Sequence, residues 1–228
     1  MIKTLRASFM VAMLVFAGCA EGRDREFSSA SETRSLADRL SGQRPEPTPT
    51  PHLTPEMIAE LKTPTLEVAL ERSGARALLS PYSDRPDLGS GLVRVWRSAD
   101  GSQIVLRNGV LIATRGLGSD LESVRSNAMI RAIAGHAPVS FQHRLFVLTG
   151  GNDTERIDLG CDMQRVGVER IATVDQSINT VHLRADCRFG VQPVTYDFWV
   201  DPQRSTIWQS RQWAGPSLGY IRMRKLKN

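Results

Sequence analysis

Apolar and polar residues alternate with a period of two over much of the chain after Gly91, which predicts β-strands with one buried face. In NTVHLRADC the predicted core-facing positions are Val181, Leu183, Ala185 and Cys187, and the opposite face carries Thr180, His182, Arg184 and Asp186. VTYDFWV repeats the pattern, with Val194, Tyr196, Phe198 and Val200 on one side. We expect this half of the chain to be a sheet.

Turn residues between apolar runs predict tight hairpins. Asn108-Gly109 separates QIVLR from VLIATR, and Asp100-Gly101 separates LVRVW from QIVL. Asn-Gly and Asp-Gly are the dipeptides that two-residue hairpin turns prefer, so three antiparallel strands should form a meander here. The runs VSFQHRLFVL and RIDLG are further predicted strands.

Capping residues predict three short helices. Thr54-Pro55 and Thr63-Pro64 each place a capping Thr before a Pro, which favours helices over Glu56–Leu61 and Thr65–Leu79, with Pro81 and Pro86 ending the region. Ser119-Asp120-Leu121-Glu122 has the spacing of a capping box, and Gly135 should end the helix that it opens. The predicted fold is mainly β: an antiparallel sandwich or barrel with short N-terminal helices and one inserted helix.

The first 18 residues have the anatomy of a secretory signal, because Lys3 and Arg6 precede an apolar run from Ala7 to Ala17. A helix needs about 20 apolar residues to span a bilayer, so this run is too short to be a stable anchor. The small residues before Cys19 resemble the lipobox of bacterial lipoproteins, in which the cysteine is diacylated and becomes the new N-terminus. The sorting rule of that class, applied to Ala20, implies the inner leaflet of the outer membrane, facing the periplasm. Two or more acyl chains would anchor the protein stably.

A polar and then proline-rich segment follows the predicted lipidation site. The alternating prolines between 45 and 51 favour an extended polyproline spacer. We therefore predict three parts: a signal peptide over 1–18, a lipidated tether over 19–54, and a single β-rich domain over 55–228.

Composition and charge narrow the function classes. Removal of the signal takes two cations and no acid, so the net charge falls from +5 to +3, too little to indicate nucleic-acid binding. Cys161 and Cys187 remain, and in an oxidising periplasm they are most simply a disulfide. A hairpin with its midpoint at 174 would bring them together, subject to a bulge or a slip of a few residues, for which Gly167 is a candidate site. Two thiols without CxxC spacing argue against the alternative of a metal site.

The sequence motifs that would indicate catalysis, cofactor binding or metal binding are incomplete in this chain. Gly116 and Gly118 have the spacing of a dinucleotide-binding turn, but Leu121 stands where the third glycine belongs. His182 is a possible general base. It lies on a polar strand face, however, and the simpler interpretation is that this face is exposed to solvent. The acids between Gly150 and Asp162 do not match a calcium loop, and no GxSxG elbow occurs. We expect no catalytic residue, no cofactor and no metal.

Aromatic and basic residues near the C-terminus form a candidate interaction face. Its predicted members are Trp199, Trp208, Trp213, Arg222 and Arg224. An exposed Trp can stack on sugar rings or on a protein partner, although packing beneath the C-terminal segment is an equal alternative. The tail YIRMRKLKN alternates Tyr220, Arg222 and Arg224 against Ile221, Met223 and Lys225, which is typical of an edge strand guarded by charge. Such a tail would also attract an acidic polysaccharide or a lipid head group.

The lipobox, the stalk and the segments WRSADGSQIVLRNGVLIATRGLGSDL and YDFWVDPQRSTIWQSRQ together resemble the YjbF/GfcB lipoproteins of exopolysaccharide and group 4 capsule operons. The resemblance covers roughly Thr63 to the C-terminus. It implies a β-rich domain, an outer-membrane lipoprotein, and a role in making or exporting a surface polysaccharide. Cys19 is the one site that transfers residue by residue.

The favoured hypothesis is a non-enzymatic accessory lipoprotein of polysaccharide secretion. Its expected partners are the membrane, through the N-terminal lipid, and secretion proteins or the polysaccharide itself. One alternative is a carrier that binds a lipid or glycan inside a β-barrel, which would need an apolar cavity. The other is a glycan-modifying enzyme, which would need convergent carboxylates or a histidine-based site in a cleft.

Overall fold

The computed structural model describes residues 54–87, 91–151, 153–173 and 177–227. The predicted signal peptide, Cys19 and nearly all of the predicted tether therefore lie outside the described residues. Within the described part of the chain, no helix is both long enough and apolar enough to cross a membrane.

Strands dominate the described residues and two short helices accompany them. In chain order the elements are α1 (Pro55–Ala59), β1 (Thr65–Leu70), β2 (Arg76–Pro86), β3 (Leu92–Arg97), β4 (Gln103–Arg107), β5 (Val110–Arg115), β6 (Leu121–Arg125), α2 (Asn127–Gly135), β7 (Val139–Leu148), β8 (Thr154–Ala172), β9 (Ser177–Phe189), β10 (Gln192–Asp201), β11 (Thr206–Trp213) and β12 (Tyr220–Lys227). The prediction of a mainly β, antiparallel fold is confirmed.

All twelve strands belong to one antiparallel sheet that curls into a nearly closed barrel. The strand order is β5-β4-β3-β2-β1-β12-β11-β10-β9-β8-β7-β6, so two strands consecutive in the chain form the two edges of the sheet. Near the middle of that order, β1 pairs with β12, which ties the two ends of the described chain together. Of the two predicted alternatives, the barrel is the one that the protein adopts.

Side chains, rather than a backbone ladder, join the two edges. The Thr114 hydroxyl of β5 donates to Asp120 Oδ1 at 2.9 Å and accepts the Leu121 amide of β6 at 2.9 Å. Asp120 also accepts the backbone amides of Gly116 and Leu117 at 2.9 and 3.1 Å. Thr114 and Leu121 are fully buried, so these hydrogen bonds satisfy polar groups that would otherwise be costly to bury. We call this junction the seam.

The interior follows the alternation of the sequence. The predicted core positions of β9 and β10 are all buried, together with Trp96, Leu145 and Leu159 from other strands. Cys161 of β8 lies directly opposite Cys187 of β9 and the two form a disulfide inside the barrel. The register shifts between Arg165 and Gly167, where a bulge was expected.

The helix predicted over Thr65–Leu79 is wrong, because this segment forms β1 and the start of β2. Leu66 and Val68 alternate into the core, and β1 gains hydrogen-bonding partners on both sides, β2 and β12. Pairing and burial therefore override the local capping signal at Thr63. Pro81 lies at an irregularity of the β2–β3 ladder and Pro86 at the end of β2, positions at which a strand tolerates proline.

The predicted capping box is also wrong, although a helix does end at Gly135. Leu121 begins β6, and α2 begins only at Asn127, after Ser126. Asp120, which lies inside the Ser-x-x-Glu pattern, instead holds the β5–β6 turn, since it accepts two backbone amides of that turn. Short polar side chains serve turns and helix caps by the same kind of bond, which is why the sequence pattern misled.

The C-terminal tail is not an edge strand. β12 lies between β1 and β11 and pairs with both along most of its length. Its outward arginines do not guard an open edge. Arg224 forms an ion pair with Glu67 of the neighbouring strand β1, and Arg222 with Glu71, the residue directly after β1.

His143 of β7 is a buried titratable group inside this barrel. Its ring packs edge-on against Tyr196 with the centroids 5.3 Å apart, and its Nδ1 has no hydrogen-bond partner among the described residues. Burial lowers the pKa of His143 from an ordinary value of 6.5 to about 4. The unfolded chain therefore binds this proton more readily than the folded protein does.

We expect His143 to make the protein less stable as the pH falls from about 6.5 to 4. A histidine with a folded pKa lowered in this way costs about 2 kcal/mol of unfolding free energy at pH 5, relative to pH 7.5. The His143→Phe variant should lose that part of the pH dependence. Urea titrations at pH 7.5 and 5 measure it, and an unchanged difference between the two pH values would show that His143 is not the responsible group.

Candidate functional site

The outer face of the sheet carries a continuous strip of polar and aromatic side chains from β8 to β2. Cross-strand register places neighbours together, because directly opposed residues point to the same face of a sheet. Trp199 lies opposite His182 on one side and Gln209 on the other, and Arg211 lies opposite Asp197 and Arg222. We call this surface the outer strip.

One half of the outer strip is centred on His182. Its Nδ1 lies 2.8 Å from Glu169 Oε1, and its Nε2 lies 2.8 Å from Asp197 Oδ1. Arg184 donates to the same Asp197 oxygen at 2.8 Å. The ring of Trp199 stacks on the His182 ring with centroids 4.4 Å apart and planes 12° apart. The indole nitrogen of Trp199 donates to Glu169 Oε2 at 2.6 Å, and this hydrogen bond is the main reason that the pKa of Glu169 is lowered.

This cluster fixes Trp199 rather than presenting a base. Both ring nitrogens of His182 are engaged by carboxylates, and only 5% of the residue is exposed. A general base needs a nitrogen within hydrogen-bonding reach of its substrate. The stacking and the indole hydrogen bond instead hold the Trp199 ring in one orientation at the surface.

The other half of the outer strip is an arginine cluster around Glu71, the residue directly after β1. Arg211 binds the Glu71 carboxylate through two hydrogen bonds of 2.8 and 2.7 Å, and Arg222 Nε lies 2.9 Å from the same group. The hydrogen bonds from Arg211 are the first cause of the lowered pKa of Glu71. The Arg211 guanidinium also lies 3.4 Å above the centre of the Tyr220 ring. One carboxylate thus holds two arginines, and the cluster keeps a net positive charge.

A groove of about 520 Å³ runs between the two halves. We call it the outer groove, and the residues that line it are Ala69, Leu70, Glu71, Gly74, Arg76, Trp199, Gln209, Ser210, Arg211 and Arg222. Its lining combines one aromatic ring, one amide, three arginines and one carboxylate. An aromatic surface beside several hydrogen-bond donors suits a polar ligand that carries some negative charge.

The structure divides the five residues predicted as one interaction face. Trp199 and Arg222 line the outer groove, and Arg224 lies on the same face of β12, paired with Glu67. Trp208 and Trp213 do not belong to this surface, because both are buried. Trp208 is the extra residue where the β10–β11 register shifts, and Trp213 packs against Phe189 with ring centroids 5.7 Å apart.

Sequence reasoning missed the partners that organise this face, above all Glu71, Glu169, Asp197 and Arg211. Asp197 had a usable signal, since it alternates with Trp199 on the outward side of VTYDFWV. Glu71 and Glu169 had none, because they reach the site through the pairing of distant strands. Across the described residues, no group of three or more His, Cys, Asp or Glu side chains is placed to hold a metal ion.

Comparisons with known proteins agree with the fold and add a family. Residues 5–226 match the family described as group 4 capsule polysaccharide lipoprotein gfcB, YjbF. Among solved structures, the chain resembles the hypothetical lipoprotein YmcC from Escherichia coli (K12), with a TM-score of 0.65 and 18% identity over 91% of this chain and 98% of that one. At 18% identity, this likeness shows that the two proteins share a fold and nothing more. No curated protein matches the chain.

We expect Glu169→Ala to loosen Trp199 and to lower the unfolding free energy by about 1 kcal/mol, because two side-chain hydrogen bonds are lost at a partly exposed site. The other three tryptophans, Trp96, Trp208 and Trp213, are buried, so acrylamide quenching reports mainly on Trp199. Quenching should increase in this variant. Since the folded pKa of Glu169 is lowered, its stabilising effect should be present above pH 4.5 and disappear as the pH falls below it.

Glu155→Ala provides the matched control, because Glu155 is exposed on the same strand, β8. This control should leave both the quenching and the stability unchanged. If Glu169→Ala quenches no more than the control does, Trp199 is not held by this carboxylate.

Proposed function

The chain belongs to the YjbF family of group 4 capsule polysaccharide lipoproteins, and we propose that it is a non-enzymatic accessory factor in the production or export of a surface polysaccharide. In this proposal it is anchored through lipidated Cys19 to the periplasmic face of the outer membrane, and the outer groove contacts the polysaccharide or a protein that carries it. The family match over residues 5–226 is the observation on which the proposal chiefly rests.

The chemistry of the outer groove supports contact with a polysaccharide. Sugar rings present apolar C–H faces that stack on aromatic side chains, and their hydroxyl groups pair with amide and guanidinium groups. Trp199, Gln209 and Arg222 offer these three kinds of group side by side. The excess of arginine over carboxylate favours a polymer with acidic sugars.

The arrangement around His182 supports a role without catalysis. The histidine would have to break a short hydrogen bond to Glu169 or Asp197 before it accepted a substrate proton. Asp197 is itself buried and already bound by Arg184. These groups are suited to holding Trp199 in place.

Lipid anchoring would keep the groove close to the site of export. Cys19 follows a short apolar run that cannot itself span a bilayer, and the proline-rich segment between 45 and 51 suits a spacer. The protein would then lie at the membrane without crossing it, joined by its acyl chains.

The test is the amount of surface polysaccharide on a strain that lacks this gene and is complemented by variants. Wild type should restore the polymer, whereas Cys19→Ser and Trp199→Ala should leave it near the level of the deletion strain. Tyr82→Ala is the matched control, because Tyr82 is an exposed aromatic residue on β2 that does not line the outer groove.

The outcomes separate the parts of the proposal. Unchanged polymer in the deletion strain would contradict the role in polysaccharide production. Full restoration by Cys19→Ser would contradict the need for the anchor. Full restoration by Trp199→Ala, with each variant present at the wild-type level, would contradict the role of the outer groove.

A further inference from the structure

A second cavity, of about 490 Å³, lies where α2 and the β10–β11 turn meet the strands of the meander. We call it the inner pocket. Its lining residues are Leu92, Arg94, Trp96, Leu106, Asn108, Gly109, Val110, Ile130, Ile133, Ala134, Arg204, Ser205, Thr206, Ile207 and Lys225. It shares no residue with the outer groove, so a ligand here would be independent of the proposed polysaccharide contact.

The lining of the inner pocket combines apolar side chains with three cationic ones. Leucine, isoleucine, valine and tryptophan side chains come from β3, β4, β5, α2 and β11. Three cations, Arg94, Arg204 and Lys225, also line it, and among these described lining residues there is no carboxylate. A pocket of this size with apolar walls and a few polar groups is typical of small-molecule sites.

Two of the three cations already have partners. Arg94 binds both oxygens of Asp84, at 2.7 and 2.6 Å, and Arg204 lies 3.4 Å from Asp201. Lys225 differs, because within the described residues no hydrogen bond and no ion pair engages its ammonium group. Burying an ammonium group without a counter-ion costs free energy. An anionic group of a ligand would offset this cost by pairing with Lys225.

The strand pattern explains how Lys225 comes to face inward. On β12 it continues the series of Ile221 and Met223, which point into the core, and it lies opposite the buried Leu66 of β1. Burial lowers the pKa of Lys225 to about 8, and the nearby Arg94 charge contributes in the same direction. The amine remains largely protonated at neutral pH.

We propose that the inner pocket binds an anionic amphiphile, with its apolar chain against α2 and the meander strands and its carboxylate or phosphate group on Lys225 beside Arg94. The apolar walls supply affinity through burial of the chain. The charged end fixes the orientation, since a charge-assisted hydrogen bond to Lys225 satisfies both groups.

The test uses the full chain carrying Cys19→Ser, which removes the predicted lipid as a competing occupant. The probe is cis-parinaric acid, a fluorescent fatty acid, and its methyl ester is the uncharged counterpart. Lys225→Met introduces an apolar side chain of similar length. It should weaken binding of the acid about tenfold, because one charge-assisted hydrogen bond is lost. It should leave the affinity for the ester within about twofold, because the apolar contacts remain.

Lys62→Met is the matched control, because Lys62 is exposed outside the pocket, and it should leave both affinities unchanged. Ala134→Trp places a bulky ring at an exposed position of the pocket lining and should weaken the acid and the ester alike. Displacement of the probe by lauric acid, compared with dodecyl phosphate, distinguishes a carboxylate ligand from a phosphate one. Failure of the acid to bind, or equal binding of acid and ester in the wild type, would overturn the proposal.

Discussion

The seam between β5 and β6 is the constraint on which the rest of the barrel depends. The side chains of Thr114 and Asp120 hold the two edges of the sheet together. Thr114 accepts a hydrogen bond from the Leu121 amide, and Asp120 binds Thr114 and a backbone amide of the β5–β6 turn. Because α2 follows β6 directly, the position of that edge also constrains the position of α2. The side chains of α2 then form one wall of the inner pocket, opposite the meander. A second link crosses the interior, where Gln212 of β11 accepts the Leu111 amide and donates to the Gly109 carbonyl, both at 2.9 Å.

One sheet thus presents two different chemistries on its two faces. The inward side is mainly apolar, apart from a few buried polar groups and the cations that line the inner pocket, among them Lys225. The outward side of β9 to β12 is a network in which carboxylates hold arginines and a histidine, and the histidine holds Trp199. Strand β12 contributes to both, with Arg222 outward and Lys225 inward. A glycan on the outer groove and an amphiphile in the inner pocket would therefore not compete for residues.

Local patterns predicted much of the fold, because turns and the alternation of apolar and polar residues depend on residues that are close together in the sequence. The Asn108-Gly109 hairpin has both residues at positive φ, as its dipeptide indicated, and the alternation of β9 and β10 gave the correct core. Two predictions failed because pairing of the distant strands β1 and β12 overrode a local signal: the helix at Thr65–Leu79 and the edge strand at the C-terminus. The capping box at Ser119 failed because Asp120 forms local turn hydrogen bonds instead. The interaction face failed in part for the same reason, since a register shift buries Trp208 while Glu71 and Glu169 arrive from distant strands. The inward position of Lys225 was visible in the alternation of YIRMRKLKN, but its pocket was not.

We propose that the outer groove contacts the surface polysaccharide itself, the partner that its aromatic and basic lining favours. Hydrogen exchange of the backbone amides, measured with and without the purified polysaccharide of the same organism, tests it most directly. We expect slower exchange in the segments that line the outer groove, namely 69–76, 199, 209–211 and 222, with no change at the inner pocket segments 92–96 and 130–134. No change anywhere, or slower exchange confined to the inner pocket segments, would contradict the claim.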